Sequence, residues 1–422
     1  MINYLLIILY NLLDVVKIPL VGQLKGNELM VLLVLPFLYR SNEFSKYPLL
    51  RKICLTLLAL MACQIITDIF VVNSAAEDYL RGWSQTIIGL LSVIFLFKVL
   101  NGYKAITLFL VISGIRALVS EPMGIDLESS NEMTFFKFRI APAVTDFLYG
   151  VAIWLHYKGK TKPIPVLFLV FGLISFALDF RSKGLTMIVS AVLLFLFYSG
   201  FKFKRAYVIA GSVTMIILFQ ALYTVYVNAA LKGKFGGEHA AQQLERLENP
   251  YNPFSLLMTG RGETFAAVEA IKDAPVFGHG SWARDETLKY YRIILKYHQD
   301  EFNEVKAAKY GGLIPSHSFI MGAWVNYGFF AFLAVIFLLF LLMKMAIPLI
   351  KSGQSLPVYP IFIPITAGMI WMFMFSNFQQ VRFSIPDIAA IFLTSYYLLQ
   401  RQQLPVQDEA NDDPAYPAFS RN

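Results

Sequence analysis

Apolar stretches close to the ~20 residues that a helix needs to cross a hydrocarbon core recur from one end of this 422-residue chain to the other. No feature limits the fold more. Within a bilayer no water satisfies backbone N–H and C=O groups, so such stretches must fold as helices whose hydrogen bonds are internal. Composition agrees, with 57% hydrophobic and 15% charged residues against roughly 45–50% and 25% in soluble domains. The expected fold class is an all-α polytopic membrane protein with about 12 transmembrane helices, at about 2–19, 28–40, 51–73, 83–100, 104–119, 139–157, 163–180, 184–201, 205–228, 316–344, 357–377 and 385–400. Nine helices thus occupy 1–228, a large loop 229–315, three more helices 316–401, and a polar, Pro-containing tail, expected to be disordered, 402–422.

The net charge of +8 comes without a basic stripe or a nucleic-acid-binding motif, so nucleic acid is not an expected partner. In a membrane protein basic residues first report topology. With the N-terminus in the cytoplasm, Arg40, Lys46, Arg51 and Lys52 fall inside, as do Lys158, Lys160 and Lys162, and Lys202, Lys204 and Arg205. Both termini are then cytoplasmic. The turn at 180–184, the interval 229–315 and the turn at 377–384 share the opposite face. The N-terminal run lacks a basic n-region and a small-residue cleavage site, and Asp14 interrupts it, so it reads as a retained first helix. Cys54 and Cys63 share one predicted helix, too far apart at ~1.5 Å per residue for a disulfide.

The external interval has structure of its own. Residues 264–273 predict an amphipathic helix that ends before Pro275, and Gly278-His279-Gly280 predicts a tight turn. Residues 285–310 place Leu288, Tyr291, Ile294, His298, Phe302 and Val305 at helical spacing, a second amphipathic helix lying on the bundle or the membrane surface.

The candidate chemistry gathers on that face. His317, between Ser316 and Ser318, is placed in the first turn or at the cap of a long helix, where the helix dipole favours a neutral, proton-accepting ring. A purely structural helix-end histidine fits the position too. Arg181 and Lys183 stand in a short external turn, against the positive-inside tendency; an anionic ligand or snorkelling towards lipid phosphates accounts for them equally. Arg261 opens a predicted helix, where guanidinium and backbone amides together suit a phosphate. Arg284, with Asp285 and Glu286 as neighbours, and Arg382, at the bundle rim, are further candidate substrate contacts. There is no HExxH motif, no metal-spaced Cys/His set and no external DxD, so no metal or other cofactor is expected.

The stretch TGRGETFAAVEAIKDAPVFGHG resembles the GR, helix, P-x-x-G-x-G segment of the bacterial O-antigen ligase and O-antigen polymerase superfamily. His317-Ser318 followed by nine residues and Gly328 is similar to its H-[N/S/G]-x9-G pattern. The resemblance is specific over about 259–328 and extends loosely over the helix layout. It implies a GT-C-like bundle with a large helical periplasmic loop in the bacterial inner membrane. The implied activity is metal-independent, inverting transfer of a glycan from undecaprenyl pyrophosphate to a sugar hydroxyl, on lipid A-core for a ligase or on a lipid-linked glycan for a polymerase. His317 would then be the general base or position the acceptor, Arg261 would bind pyrophosphate, and Arg181 or Lys183 would fill a second cationic role. The family commonly has Ser-Arg-Gly where this chain has Ser182-Lys183-Gly184, and Arg and Lys are not equivalent as bidentate phosphate ligands. A transporter of lipid-linked sugars is the rival reading, with Asp14, Asp68 and Arg116 as its intramembrane groups.

Overall fold

The computed structural model describes residues 1–20, 22–38, 43–119, 132–178, 180–201, 205–233, 241, 244–245, 247, 249–253, 255, 262–298 and 312–403. Arg261, the second half of the expected 285–310 helix and nearly all of the C-terminal tail lie outside them. The helices run in the order α1 (Ile2–Leu13), α2 (Gly26–Leu38), α3 (Pro48–Ile65), α4 (Ala76–Val99), α5 (Tyr103–Val119), α6 (Ala141–Tyr157), α7 (Pro163–Ala177), α8 (Arg181–Tyr198), α9 (Arg205–Leu231), α10 (Gly262–Asp273), α11 (Lys289–His298), α12 (Phe319–Ser352), α13 (Phe362–Phe375) and α14 (Gln380–Gln403). π-helical turns extend α3 through Ile66–Val71 and precede α6 at Phe136–Ile140.

A helix lies in each of the twelve expected intervals. Among the described residues, five helical segments are long and apolar enough to cross a membrane: Pro48–Val71, Ala76–Val99, Phe136–Tyr157, Arg181–Tyr198 and Phe319–Ser355. The protein is therefore a helical membrane protein. Many large apolar side chains that face outward, such as Phe70, Trp154, Phe195 and Phe340, then meet lipid rather than water. The main core cluster surrounds Phe95, Phe109, Phe319, Phe362, Phe373 and Phe392, where α12 packs on α3 and α14 on α4. Cys54 and Cys63 are both free.

Three expected elements are corrected. The first helix ends at Leu13 instead of about residue 19, and an antiparallel hairpin follows, β1 (Lys17–Leu20) and β2 (Gly22–Lys25), so the fold is not wholly helical. Pro19 has no N–H to continue a helix, and Gly22 takes φ +89°, which a tight reversal needs. Asp14 then turns to accept hydrogen bonds from Lys25 Nζ (2.7 Å) and Asn27 Nδ2 (3.1 Å). Secondly, the 180–184 turn is shorter than expected, because α8 begins at Arg181 and Ser182, Lys183 and Gly184 are helical. Gly172 and Gly184 let α7 and α8 touch through their backbones; a Cβ on Gly184 would lie 2.9 Å from the Gly172 carbonyl oxygen.

Thirdly, the segment expected at 316–344 continues to Ser352 and is broken inside, at Gly328, whose φ 77°, ψ −170° is not helical. Such a conformation is open essentially to glycine alone.

The loop helices pack on each other and on α12. Tyr290 and Ile294 of α11 share an apolar cluster with Ala266, Ala267 and Ala270 of α10, Ile314, and Met321 and Val325 of α12. Of the two placements open to the second amphipathic helix, its described part thus lies on the bundle. Asp273 at the end of α10 accepts hydrogen bonds from Lys289 Nζ (2.6 Å) and Tyr290 Oη (2.5 Å). These hold its carboxyl below the usual carboxylate range, and the same ion pair raises the Lys289 ammonium. A carboxylate with a depressed folded pKa contributes stability above its unfolded value of ~3.9, lost as pH falls through the folded one. A lysine with a raised pKa contributes below ~10.4, lost as pH rises through its folded value. The protection factors of the α11 amides, with the intrinsic exchange rate divided out, are therefore expected to be unchanged between pH 5 and 9 and to fall as pH drops below about 4 or rises above about 10. Equal exchange in Asp273→Asn and the parent at neutral pH would remove this tie.

Candidate functional site

The two sequence signatures around the large loop are one structural unit. After α10, the chain turns through Val276–Gly280 and lays its backbone against the break in α12. Phe329 N–H donates to Val276 O (3.1 Å), His279 N–H to Val325 O (2.9 Å) and Gly280 N–H to Asn326 O (2.7 Å). Such an approach leaves no room for side chains. A Cβ on Gly328 would stand 2.0 Å from Val276 O, and one on Gly278 would stand 2.6 Å from the Asn326 carbonyl. The Gly of P-x-x-G and the Gly that ends His-x9-Gly are therefore two sides of one contact.

A buried carboxylate fastens that turn to the bundle. Asp68, in the π-helical turn after α3, has no solvent exposure. It accepts hydrogen bonds from Ser281 N–H (2.7 Å), Ser281 Oγ (2.7 Å), Ser74 Oγ (3.0 Å) and Trp83 Nε1 (2.9 Å). Thr67 Oγ1 also donates to Phe277 O (2.7 Å). Four donors satisfy a charge that would otherwise be very costly to bury. Asp68 thus acts as a staple between loop and bundle, which removes one of the groups a transporter would use. Asp68→Ala is expected to destabilise the protein by about 3–5 kcal/mol, because it strands those buried donors. Asp68→Asn, which keeps the shape, should cost less, and equal apparent Tm values for the parent and both variants would contradict this role.

The junction extends to α10. Trp324 Nε1 donates to Pro275 O (2.8 Å), and α10 then runs beside the first turns of α12, its alanines in one cluster with Met321 and Val325. Ser318 is the N-cap of α12, its Oγ accepting from Met321 N–H (3.2 Å). His317 therefore stands one residue before the cap, not within the first turn, and is exposed. A Cβ on Gly322 would meet both Ser316 and Phe378, which places the His317 segment beside the turn between α13 and α14.

The other described candidate cations are each engaged. Arg181 lies over the Tyr226 ring at 5.4 Å. Lys183 is half-buried and coupled electrostatically to Asp146. Arg284 pairs with Asp78 at 3.8 Å rather than with its neighbours Asp285 or Glu286; Asp285 instead caps Tyr291 N–H (2.8 Å). Arg382 is not a rim residue. Its side chain is 10% exposed and grips Glu28 through Nε and Nη2 while donating to Gln23 O (2.7 Å). The described residues include no group of three or more His, Cys, Asp or Glu side chains placed to hold a metal ion.

Beside Arg382 opens a recess of about 280 Å³, lined by the end of α1, the hairpin, the start of α2, the end of α5 and the start of α14. Arg116 approaches Asp14 at 3.9 Å and donates to Ser113 Oγ at 3.0 Å. Lys25 and Arg382 both lie over the Phe383 ring, at 4.8 and 5.3 Å. Sequence reasoning singled out Asp14, Arg116 and Arg382 but not Lys25, Asn27, Glu28 or Asp387. The available signal was an acid within an apolar helix, Asp387 in 385–400, since intramembrane carboxylates are rare without a role. No protein-family model and no curated protein matches the chain, which leaves its function to be read from these residues and their geometry.

Proposed function

We propose that the protein is a glycosyltransferase of the O-antigen ligase type. It would span the bacterial inner membrane about twelve times, with both termini cytoplasmic, and transfer a glycan from undecaprenyl pyrophosphate to a sugar hydroxyl of lipid A-core at the periplasmic face. The observation that carries this reading is the backbone contact between Val276–Gly280 and Gly328. It gives both halves of the recognised sequence pattern a single physical purpose, holding the chain after α10 and the first turns of α12, which follow His317, at one junction.

In the proposed reaction His317 takes the proton of the acceptor hydroxyl as its oxygen bonds to the anomeric carbon. The bond from that carbon to the pyrophosphate oxygen breaks on the opposite face, inverting the centre. The leaving group departs with the electron pair as undecaprenyl pyrophosphate. Arg261, which precedes Gly262 in sequence, and Arg181 or Lys183 offset its charge, with help from the positive ends of two helices. Because pyrophosphate is already a good leaving group, charge stabilisation and alignment supply most of the acceleration. The engaged states of Arg284 and Arg382 favour positioning roles over direct phosphate contact.

The test offers purified protein an undecaprenyl-pyrophosphate oligosaccharide, either with lipid A-core or with donor alone. Product on lipid A-core supports the ligase. A ladder of lengths from donor alone would assign a polymerase, which shares the donor chemistry. Donor crossing proteoliposome membranes without any transfer would assign a transporter and end the catalytic role of His317.

A further inference from the structure

The recess beside Arg382 combines features that the transfer chemistry at His317 leaves unused. Most of its charged groups, to which Lys17 and Asp387 also belong, are already engaged with one another. Asp14 accepts from Lys25, Glu28 is gripped by Arg382, and Arg116 is coupled to Asp14, Asp387 and Asp146. A free anion entering would have to break one of these pairs and meet carboxylates on every side. An apolar ligand would strand their remaining lone pairs and N–H groups. Asn27, only 4% exposed, also lines the recess and donates to Asp14 through Nδ2, while its Oδ1 is buried without a hydrogen-bond partner among the described residues. Aromatic rings of Tyr10, Phe138 and Phe383 complete the wall.

A lining with carboxylates, guanidinium and ammonium groups, an asparagine amide and aromatic rings matches a neutral, polyhydroxylated ring. Each hydroxyl both donates and accepts, and the C–H faces of a sugar lie against aromatic surface. The volume of about 280 Å³ is near the lower end of the ~300–1,000 Å³ of ligand sites, enough for one or two sugar rings. Chain connectivity puts the recess on the proposed periplasmic side, since it joins the end of α1 and the start of α2 to the end of α5 and the start of α14.

We infer that this recess is a saccharide-binding subsite that holds one or two neutral sugar residues of the glycan substrate through Asn27, Asp387 and the ion pairs of Asp14 and Glu28. It rests on the transferase reading for its purpose but not for its chemistry.

Two variants separate the subsite from the folding network. Asn27→Leu replaces an amide of the lining with an apolar group, and Ala117→Phe, at another lining position, fills space without touching an ion pair. Saturation-transfer NMR on the full-length protein in nanodiscs would use glucose, galactose, mannose, N-acetylglucosamine and rhamnose as probes, with inorganic pyrophosphate as the anionic probe. At least one sugar is expected to bind. Its signal should fall about tenfold or more in Ala117→Phe at unchanged apparent Tm and persist in His317→Ala. Loss in Asn27→Leu with that variant still folded adds support. Pyrophosphate binding that Ala117→Phe abolishes, with no sugar bound, would make the recess an anion site and overturn the inference. So would silence from all probes, which would leave a structural ion network only. Sugar binding without transfer in any assay would sink the transferase reading and keep the subsite. Transfer that Ala117→Phe leaves untouched, with no sugar bound, would do the reverse.

Discussion

Gly328→Ala is expected to lower the apparent Tm sharply and abolish transfer together. The new methyl would stand 2.0 Å from Val276 O and 2.6 Å from Phe277 Cα, and backbone atoms cannot swing aside as the end of a flexible side chain does. The backbone at φ 77°, ψ −170° adds a conformational cost of roughly 1–3 kcal/mol for any residue with a Cβ, and overpacking typically adds about 1–3 kcal/mol. A combined loss of about 2–6 kcal/mol is a large part of the stability of an ordinary domain. Gly102→Ala supplies the control, since a Cβ there meets nothing within 4 Å, and it should stay within about 0.5 kcal/mol of the parent. If Gly328→Ala proved as stable and active as Gly102→Ala, the junction would not organise the site.

His317→Ala should do the opposite, leaving the fold intact while transfer collapses. The side chain is exposed and precedes the N-cap, so the cap bond from Ser318 and the apolar packing of Phe319 remain. Removing a general base costs typically about 10²–10⁴-fold, read here as kcat at saturating donor with an unchanged apparent Tm. Arg261→Ala is expected to give a comparable loss, and Arg261→Lys only partial recovery, because a point charge lacks the bidentate fork. Wild-type rates in both His317→Ala and Arg261→Ala would remove the proposed mechanism. A rise in KM alone for His317→Ala would recast the residue as an acceptor-positioning group.

Local sequence made the helices legible. Apolar runs dictate helix wherever backbone groups must be satisfied without water, and helices lie where those runs are. The GR, helix, P-x-x-G-x-G and His-x9-Gly patterns also stood out, through their resemblance to a known family's signature; that their glycines mark a close backbone approach came from the structure. What could not be read was where the charges would go. Asp68 resembled a transport group, yet its partners Ser74, Trp83 and Ser281 are up to 213 residues away. Arg382 resembled a rim cation, yet it meets Glu28 across 354 positions. The hairpin at 17–25 was hidden by the apolar run of α1, and the pairing of Asp14 with Lys25 and Asn27 accounts for its turn away from the helix.

Sequence by itself thus determined that this is a helical membrane protein, because solvation of the backbone acts locally and leaves its trace in every stretch. Only the tertiary structure decided that Val276–Gly280 seats against Gly328, that Asp68 staples the turn, and that Asn27, Glu28, Arg116, Arg382 and Asp387 line one recess. Those outcomes depend on steric contact and charge pairing between segments remote in the chain, and such distances have no counterpart in residue spacing.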